Sequence, residues 1–337
     1  MNNNNQFSNQ VVLNGSQYFN AVGQYFDVVS PYNDVEAFVD LTSAAAESLP
    51  LLARLDLVDF KKHGNDHGYL LIKGLKTDPD LPKTPVTGEE ARNRNSYYSE
   101  TWLAIVANLL GEPFSYKQEG EGYLFHNVRP MKKSSEKLSS ESSGILLDFH
   151  TETAFHPFMP DFLMLYCLRS DRKKEAKTIV SSTRRFIKSL SEETIAELGK
   201  KQFRTGIDYS FGNQSQARGN GPVLSVFYGD DQDPLMTFDP DLMEGLTPSA
   251  EKALQELKAA VDFAKEGVLL EGGDLLIVDN RRAVHGRNQF KAYYDGYDRW
   301  LQRTYVTRNL LQAEILFNHR ERVISYDFYD KHYKVAV

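Results

Sequence analysis

The sequence places an imidazole and a carboxylate two residues apart, His150 and Glu152, inside the otherwise strand-like stretch GILLDFHTETAFHPFMPDFLMLYCLR (144–169). Residues two apart on an extended chain point to the same side, so the pair can grip one object, and a metal ion is the candidate. H-x-E alone is a weak signal, because a hydrogen-bonded couple gives the same pattern, and a third ligand is needed. His285 supplies one. In GGDLLIVDNRRAVHGRNQF the run DLLIVDN reads as a strand, and His285 follows it in a turn with Gly286. Two histidines and one carboxylate from distant strand ends leave metal positions open and suit non-heme Fe(II), although zinc hydrolysis is a second chemistry for the same donors. His156 is then surplus. A fourth side-chain ligand would occupy a position that reactants need, so His156 reads as support or core. His63 and His67, in KKHGNDHG, read as an exposed turn.

Open metal positions call for something to fill them. Arg299 and Arg303 lie four apart in DGYDRWLQRTYV, and if WLQRTYVT is a strand they share a face. Two guanidinium forks would then reach the metal's cavity, each shaped for a carboxylate. Surface arginines beside Asp295 and Asp298 are the plainer alternative.

The elements that must carry these groups are mostly legible. DVEAFVDLTSAAAESL and YSETWLAIVANLLG have apolar residues at helical spacing, the second stopping at Gly111 before Pro113, and GYLLIKGL is an early strand. From EGYLFHNVRP onward short β-rich segments follow: FLMLYCLR, TIVSST, VLSVFYG and DLLIVDN. These predict a sandwich or barrel, with amphipathic helices over RRFIKSLSEETIAELGKK and SAEKALQELKAAVDFAKEG. Between those helices GIDYSFGNQSQARGNGP reads as a surface loop suited to a lid. The asparagine-rich residues 1–10 are expected to be disordered, and 11–337 to form a single domain.

Composition narrows the function classes. With 337 residues and 41% hydrophobic content the chain can bury a substantial core, and no run approaches the length of a membrane helix. A start without basic and apolar segments predicts a cytoplasmic protein. The net charge of −7 argues against nucleic-acid binding and suits a cationic small molecule. Cys167, the single cysteine, excludes an internal disulfide and is expected to be buried and inert. The basic stretch RSDRKKEAK reads as a solvated turn. Whether the chain forms a homo-oligomer is left open.

Taken together, FHTETAFH with PDFLMLYCLRSDR, GGDLLIVDNRRAVHGR and DGYDRWLQRTYVTRNL resemble the clavaminate synthase-like group of Fe(II)/2-oxoglutarate oxygenases, over the chain from about YKQEGEGYLFHNVRP to VTRNL. The nearest branch is the bacterial hydroxylases of free basic amino acids, acting on arginine or on lysine at C3 or C4. The resemblance implies a mainly β fold with flanking helices, a distorted double-stranded β-helix (jelly roll) with a lid insertion at about 205–245. It makes His150, Glu152 and His285 the iron ligands, glutamate in place of aspartate being a feature of the group. It assigns Arg299, with Thr178, to the distal carboxylate of 2-oxoglutarate, and Arg303 to the substrate α-carboxylate. Gln118 and Ser140 match head-group contacts, Glu152 doubles as an acceptor for the α-amine, and Asp208, Asp239 and Asp241 are candidates for a cationic side chain.

The expected cofactors are Fe(II), 2-oxoglutarate as co-substrate and O2, with hydroxylation preferred to chlorination because Glu152 fills the position where halide binds in related halogenases. The expected reaction is hydroxylation of free L-lysine at C4 or C3, giving succinate and CO2. L-arginine, ornithine or a carrier-bound amino acid are alternative substrates, and a non-catalytic metal-binding or sensory jelly roll is the alternative from another class.

Overall fold

Strand Phe162–Arg169 shows how the layers are built. Its even residues Phe162, Met164, Tyr166 and Leu168 pack toward helices, while Leu163, Leu165 and Cys167 face the opposite way into a second core. Burial on both faces, with a side-chain period of two, makes this a central strand. The computed structural model describes residues 11–135, 140–211, 218–318 and 321–328. The expectation for residues 1–10 lies outside them.

Phe162–Arg169 belongs to an eight-stranded sheet ordered Val12–Asn14, Tyr69–Lys73, Leu275–Asp279, Phe162–Arg169, Trp300–Thr307, Glu112–Tyr116 and Val323–Ile324, with His126–Val128 also paired to Trp300–Thr307. A four-stranded sheet runs Glu266–Leu269, Lys177–Ser182, Ala283–Arg287, Leu147–His150. Leu276, Leu301 and Tyr305 of the first meet Val180, Val268 and Ala283 of the second in one core, so the two sheets form a sandwich.

Helices cover both outer faces. Tyr98–Leu110, buried along most of its length, and Val35–Ala46, capped by the Asp34 side chain, lie on the large sheet. Pro248–Ala264, with Pro at its first position behind a Thr247 cap, lies on the small one. Strand Trp300–Thr307 is fixed from behind as well. Gln302 donates to Glu100 Oε1 at 2.7 Å, and that carboxylate is buried against Arg94 and accepts from Tyr32 at 2.7 Å. Gln302 therefore faces the helices, and Leu301, Arg303 and Tyr305 face between the sheets.

Three sequence expectations change in detail. The helix over RRFIKSLSEETIAELGKK is two, Thr183–Phe186 and Glu192–Leu198, because Leu190 is extended and Ser191 caps a new start on Thr194 N. VLSVFYG splits into Val223–Leu224 and Phe227–Asp230, which pair with different partners. His67 is not in an open turn: its Nδ1 lies 2.7 Å from Glu266 Oε2. Within the segment proposed as a lid, Phe227, Met236, Phe238 and Met243 are anchored in the core outside the small sheet, and 212–217 lie outside the described residues. Cys167 is buried, and burial pushes its thiol up to about 12.

Candidate active site

His150 ends strand Leu147–His150, and His285 sits directly opposite it in strand Ala283–Arg287. Alternation aims both inward, since Phe149 and Val284 pack into the outer core. His285 thus lies within a strand and not in the expected turn. The ladder shifts register just after it, where the strands approach so closely that a Cβ on Gly286 would come within 2.5 Å of Leu147 O. Glu152 follows in a turn whose backbone is clamped by Asn280, which accepts from Glu152 N at 2.8 Å and donates to Glu152 O at 3.2 Å.

These three residues bring ligand atoms within 4.8 Å of one another. Glu152 Oε2 is 3.2 Å from His285 Nε2 and 3.7 Å from His150 Nε2. His150 Nδ1 meets the Asp148 carbonyl at 3.0 Å, which leaves Nε2 as the nitrogen presented to the centre. Burial disfavours a proton on either ring. Contact with Glu152 overrides this at His150, raised to about 9, while His285 beside it falls to about 4. Two imidazoles and a carboxylate converging on one point fit Fe(II), and an entering cation would displace that proton.

Arg299 is buried, and its Nη2 donates to Thr178 Oγ1 at 3.2 Å. No carboxylate pairs with it among the described residues, and burial lowers its affinity for its proton. A second buried guanidinium, Arg287, stands opposite Thr178 in the ladder and donates to the carbonyls of Ser142 and Ile145. Two buried cations with neutral partners make a site for an anion.

Arg303 is held differently. Nη1 reaches Glu152 Oε1 at 3.0 Å, Nη2 reaches Glu119 Oε2 at 3.4 Å and His126 Nδ1 at 3.1 Å, and Tyr305 OH contacts both carboxylates at 2.6 and 2.7 Å. It lines a cavity of about 690 Å³ together with His150, Glu152, Gln118 and Ser140, and with all three predicted aspartates, Asp208, Asp239 and Asp241. Arg299 and Thr178 are not in that lining. Arg303, within strand Trp300–Thr307, thus faces the cavity, and Arg299, one residue before that strand, does not line it.

Gln118 donates to Tyr326 O at 2.6 Å, and its buried Oε1 has no partner among the described residues. Thr151, between the two ligands, ties the aspartate segment to them: its Oγ1 accepts from Phe238 N at 3.0 Å, beside Asp239. His156 is outside the ligand group, buried among Tyr116, Phe211 and Tyr326, and burial takes it down to about 3. Glu119, His126 and Tyr305 went unnoticed in the sequence. Tyr305 lies two beyond Arg303 on the same face and was within reach of the alternation argument, whereas Glu119 and His126 depend on long-range pairing.

Sandwich, His-Glu-His group and isolated buried arginine define a non-heme iron oxygenase of the 2-oxoglutarate class. Residues 38–305 match the family described as taurine catabolism dioxygenase TauD, TfdA family, and the chain belongs to it. It is 36% identical over 276 residues to clavaminate synthase 2 of Streptomyces clavuligerus, covering 81% of this chain and 84% of that one. It is 34% identical over 290 residues to the L-lysine 3-hydroxylase of Catenulispora acidiphila, covering 84% and 79%. Asparagine oxygenase, solved with Fe(II), 2S,3S-3-hydroxyasparagine and succinate, superposes with a TM-score of 0.85 at 33% identity over 94% of this chain and 99% of that one. The oxygenase OrfP, solved with Fe and alpha-ketoglutaric acid, gives 0.81 at 29% identity over 94% and 99%. The chain is a 2-oxoglutarate-dependent dioxygenase, and its cofactors are iron and 2-oxoglutarate. No helix among the described residues is long and apolar enough to cross a membrane.

Proposed function

We propose that the protein hydroxylates an unactivated side-chain carbon of a free basic L-amino acid, with L-lysine at C4 or C3 as the preferred substrate and L-arginine or L-ornithine as alternatives. One observation carries this reading. Asp208, Asp239 and Asp241 line the cavity with no ion pair to a cation among the described residues. By contrast, Glu121 is paired with Arg92, Asp148 with Lys258, and Glu119 and Glu152 with Arg303. Among the described residues Asp239 accepts only from its own turn, Asp241 N and Leu242 N, and burial beside Asp241 and Asp208 raises it to about 6. Cavity carboxylates without a paired protein cation favour a ligand that brings its own positive charge.

Iron and 2-oxoglutarate, when bound, supply the oxidising chemistry: O2 is reduced, 2-oxoglutarate becomes succinate and CO2, and one oxygen enters the C–H bond. The chain's task is placement. His150, Glu152 and His285 would hold iron, and Arg299 with Thr178 would bind the distal carboxylate of 2-oxoglutarate. Arg303 would take the substrate α-carboxylate, with Glu152 Oε1, Gln118 and Ser140 near the rest of the head group. The aspartates would attract the cationic end of the substrate side chain. Asparagine oxygenase is a relative that acts on a neutral side chain, and the acid cluster favours a charged one here.

Incubation with L-lysine, L-arginine and L-ornithine, followed by mass spectrometry and NMR of the product, tests the proposal. A basic amino acid carrying one new hydroxyl is expected. Absence of hydroxylation on all three contradicts it.

A further inference from the structure

The guanidinium of Arg303 has a neutral neighbour whose place is set by strand register. Strand His126–Val128 pairs with Trp300–Thr307 so that His126 lies directly across from Arg303, and His126 Nδ1 is 3.1 Å from Arg303 Nη2. A guanidinium has only donors, so Nδ1 is the bare nitrogen of an uncharged ring and the ring proton sits on Nε2. Burial, and then the charge of Arg303, reinforce this by taking His126 down to about 3. The other edge of the ring lies against Gly120, where a Cβ would come within 2.8 Å of Cδ2 and 3.0 Å of Nε2. Gly120 has φ +52, so any side chain here would be strained as well as crowded. The strand behind and the glycine in front leave the imidazole one orientation.

Its neutrality matters because the remaining acceptors are carboxylates. Glu152 and Glu119 draw on the charge that a ligand carboxylate would use, and the Nε of Arg303 is buried with no partner among the described residues. An imidazole nitrogen directs Nη2 without cancelling any charge. Tyr305 holds the guanidinium from one face, its ring centroid 4.7 Å away, and His126 is the uncharged member of the partners in its plane, the one a ligand carboxylate need not displace.

We propose that His126 is a positioning residue for amino-acid binding: the lone pair on its Nδ1 fixes the rotation of the Arg303 fork, so that the fork meets the incoming α-carboxylate already oriented. This rests on the reading of Arg303 as the clamp for that carboxylate. It predicts a defect in the apparent affinity for the amino acid, with 2-oxoglutarate affinity and kcat near wild type.

The test compares His126→Asn, whose Oδ1 falls near the place of Nδ1, with His126→Gln, whose oxygen lies farther out, and with His126→Leu. KM for L-lysine, KM for 2-oxoglutarate and kcat are measured on the iron-loaded enzyme, and lysine affinity separately by calorimetry. Gln and Leu should raise the lysine KM about tenfold, equivalent to about 1.4 kcal/mol for a hydrogen bond to a charged group. Asn should restore most of the loss. Asn and Gln have like polarity, so a general folding defect does not separate them; equal behaviour of the two overturns the proposal. Arg303→Lys is the control on the premise. If it leaves lysine affinity unchanged, the clamp reading fails, whereas a strong Arg303→Lys defect with silent His126 variants rejects the positioning role alone.

Discussion

Arg299 and Arg303 stand four residues apart, and their surroundings are opposite. Arg299 is buried with one hydroxyl partner and no carboxylate among the described residues, while Arg303 touches Glu119, Glu152 and His126 and stacks on Tyr305. The first is an uncompensated charge whose burial is tolerable only where an anion regularly joins it. The second is compensated by the protein, and a ligand must compete for it. On the proposed assignment, the difference would separate a site for the dianionic co-substrate from a site for a zwitterion, which would offer a carboxylate to Arg303 and an ammonium to Glu119 and Glu152.

The largest effect should come from Arg299→Ala. Removing one partner of a buried ion pair should raise the KM for 2-oxoglutarate by about two to three orders of magnitude, with lysine affinity measured by calorimetry little changed. Arg303→Ala should act on the other ligand and more mildly, raising the lysine KM by about ten- to a hundredfold, because Glu119 and Glu152 remain to receive the α-ammonium. Steady-state titration of both ligands in both variants checks this, and equal effects on both ligands would erase the distinction. Asp239→Asn should come next, with a rise of about tenfold in the lysine KM and a gain in relative activity on neutral amino acids, read from a substrate panel. Thr178→Val should be smallest, a rise of a few-fold, roughly the worth of one hydrogen bond, in the 2-oxoglutarate KM only.

Much of this was legible because period-two alternation survives in the strands that carry chemistry. WLQRTYVT forms one strand, Trp300–Thr307, which carries Arg303, while Arg299 lies one residue before it, next to a shift in register between Trp300 and Leu301. His150 and Glu152 were paired by their spacing, although Glu152 lies in the turn after the strand, and His285, expected in a turn, lies within a strand. What alternation cannot supply is which strand lies beside which. His126 acquires its place from pairing with residues far along the chain, and Glu119 from a turn that folds back over it. Local polarity also misplaced the break at Leu190, where a serine cap outweighed a continuous amphipathic pattern. The resemblance to amino-acid oxygenases supplied residue roles that spacing alone left open.

The most direct test of a cavity built for a basic amino acid is succinate formation with Fe(II) and 2-oxoglutarate, measured with L-lysine, L-arginine and L-ornithine against L-asparagine, L-glutamine and L-glutamate. Asp208, Asp239 and Asp241 predict strong stimulation by a basic amino acid, with lysine foremost, and little by the neutral or acidic ones. Stimulation by L-asparagine exceeding that by every basic amino acid, or by none of the panel, would contradict it.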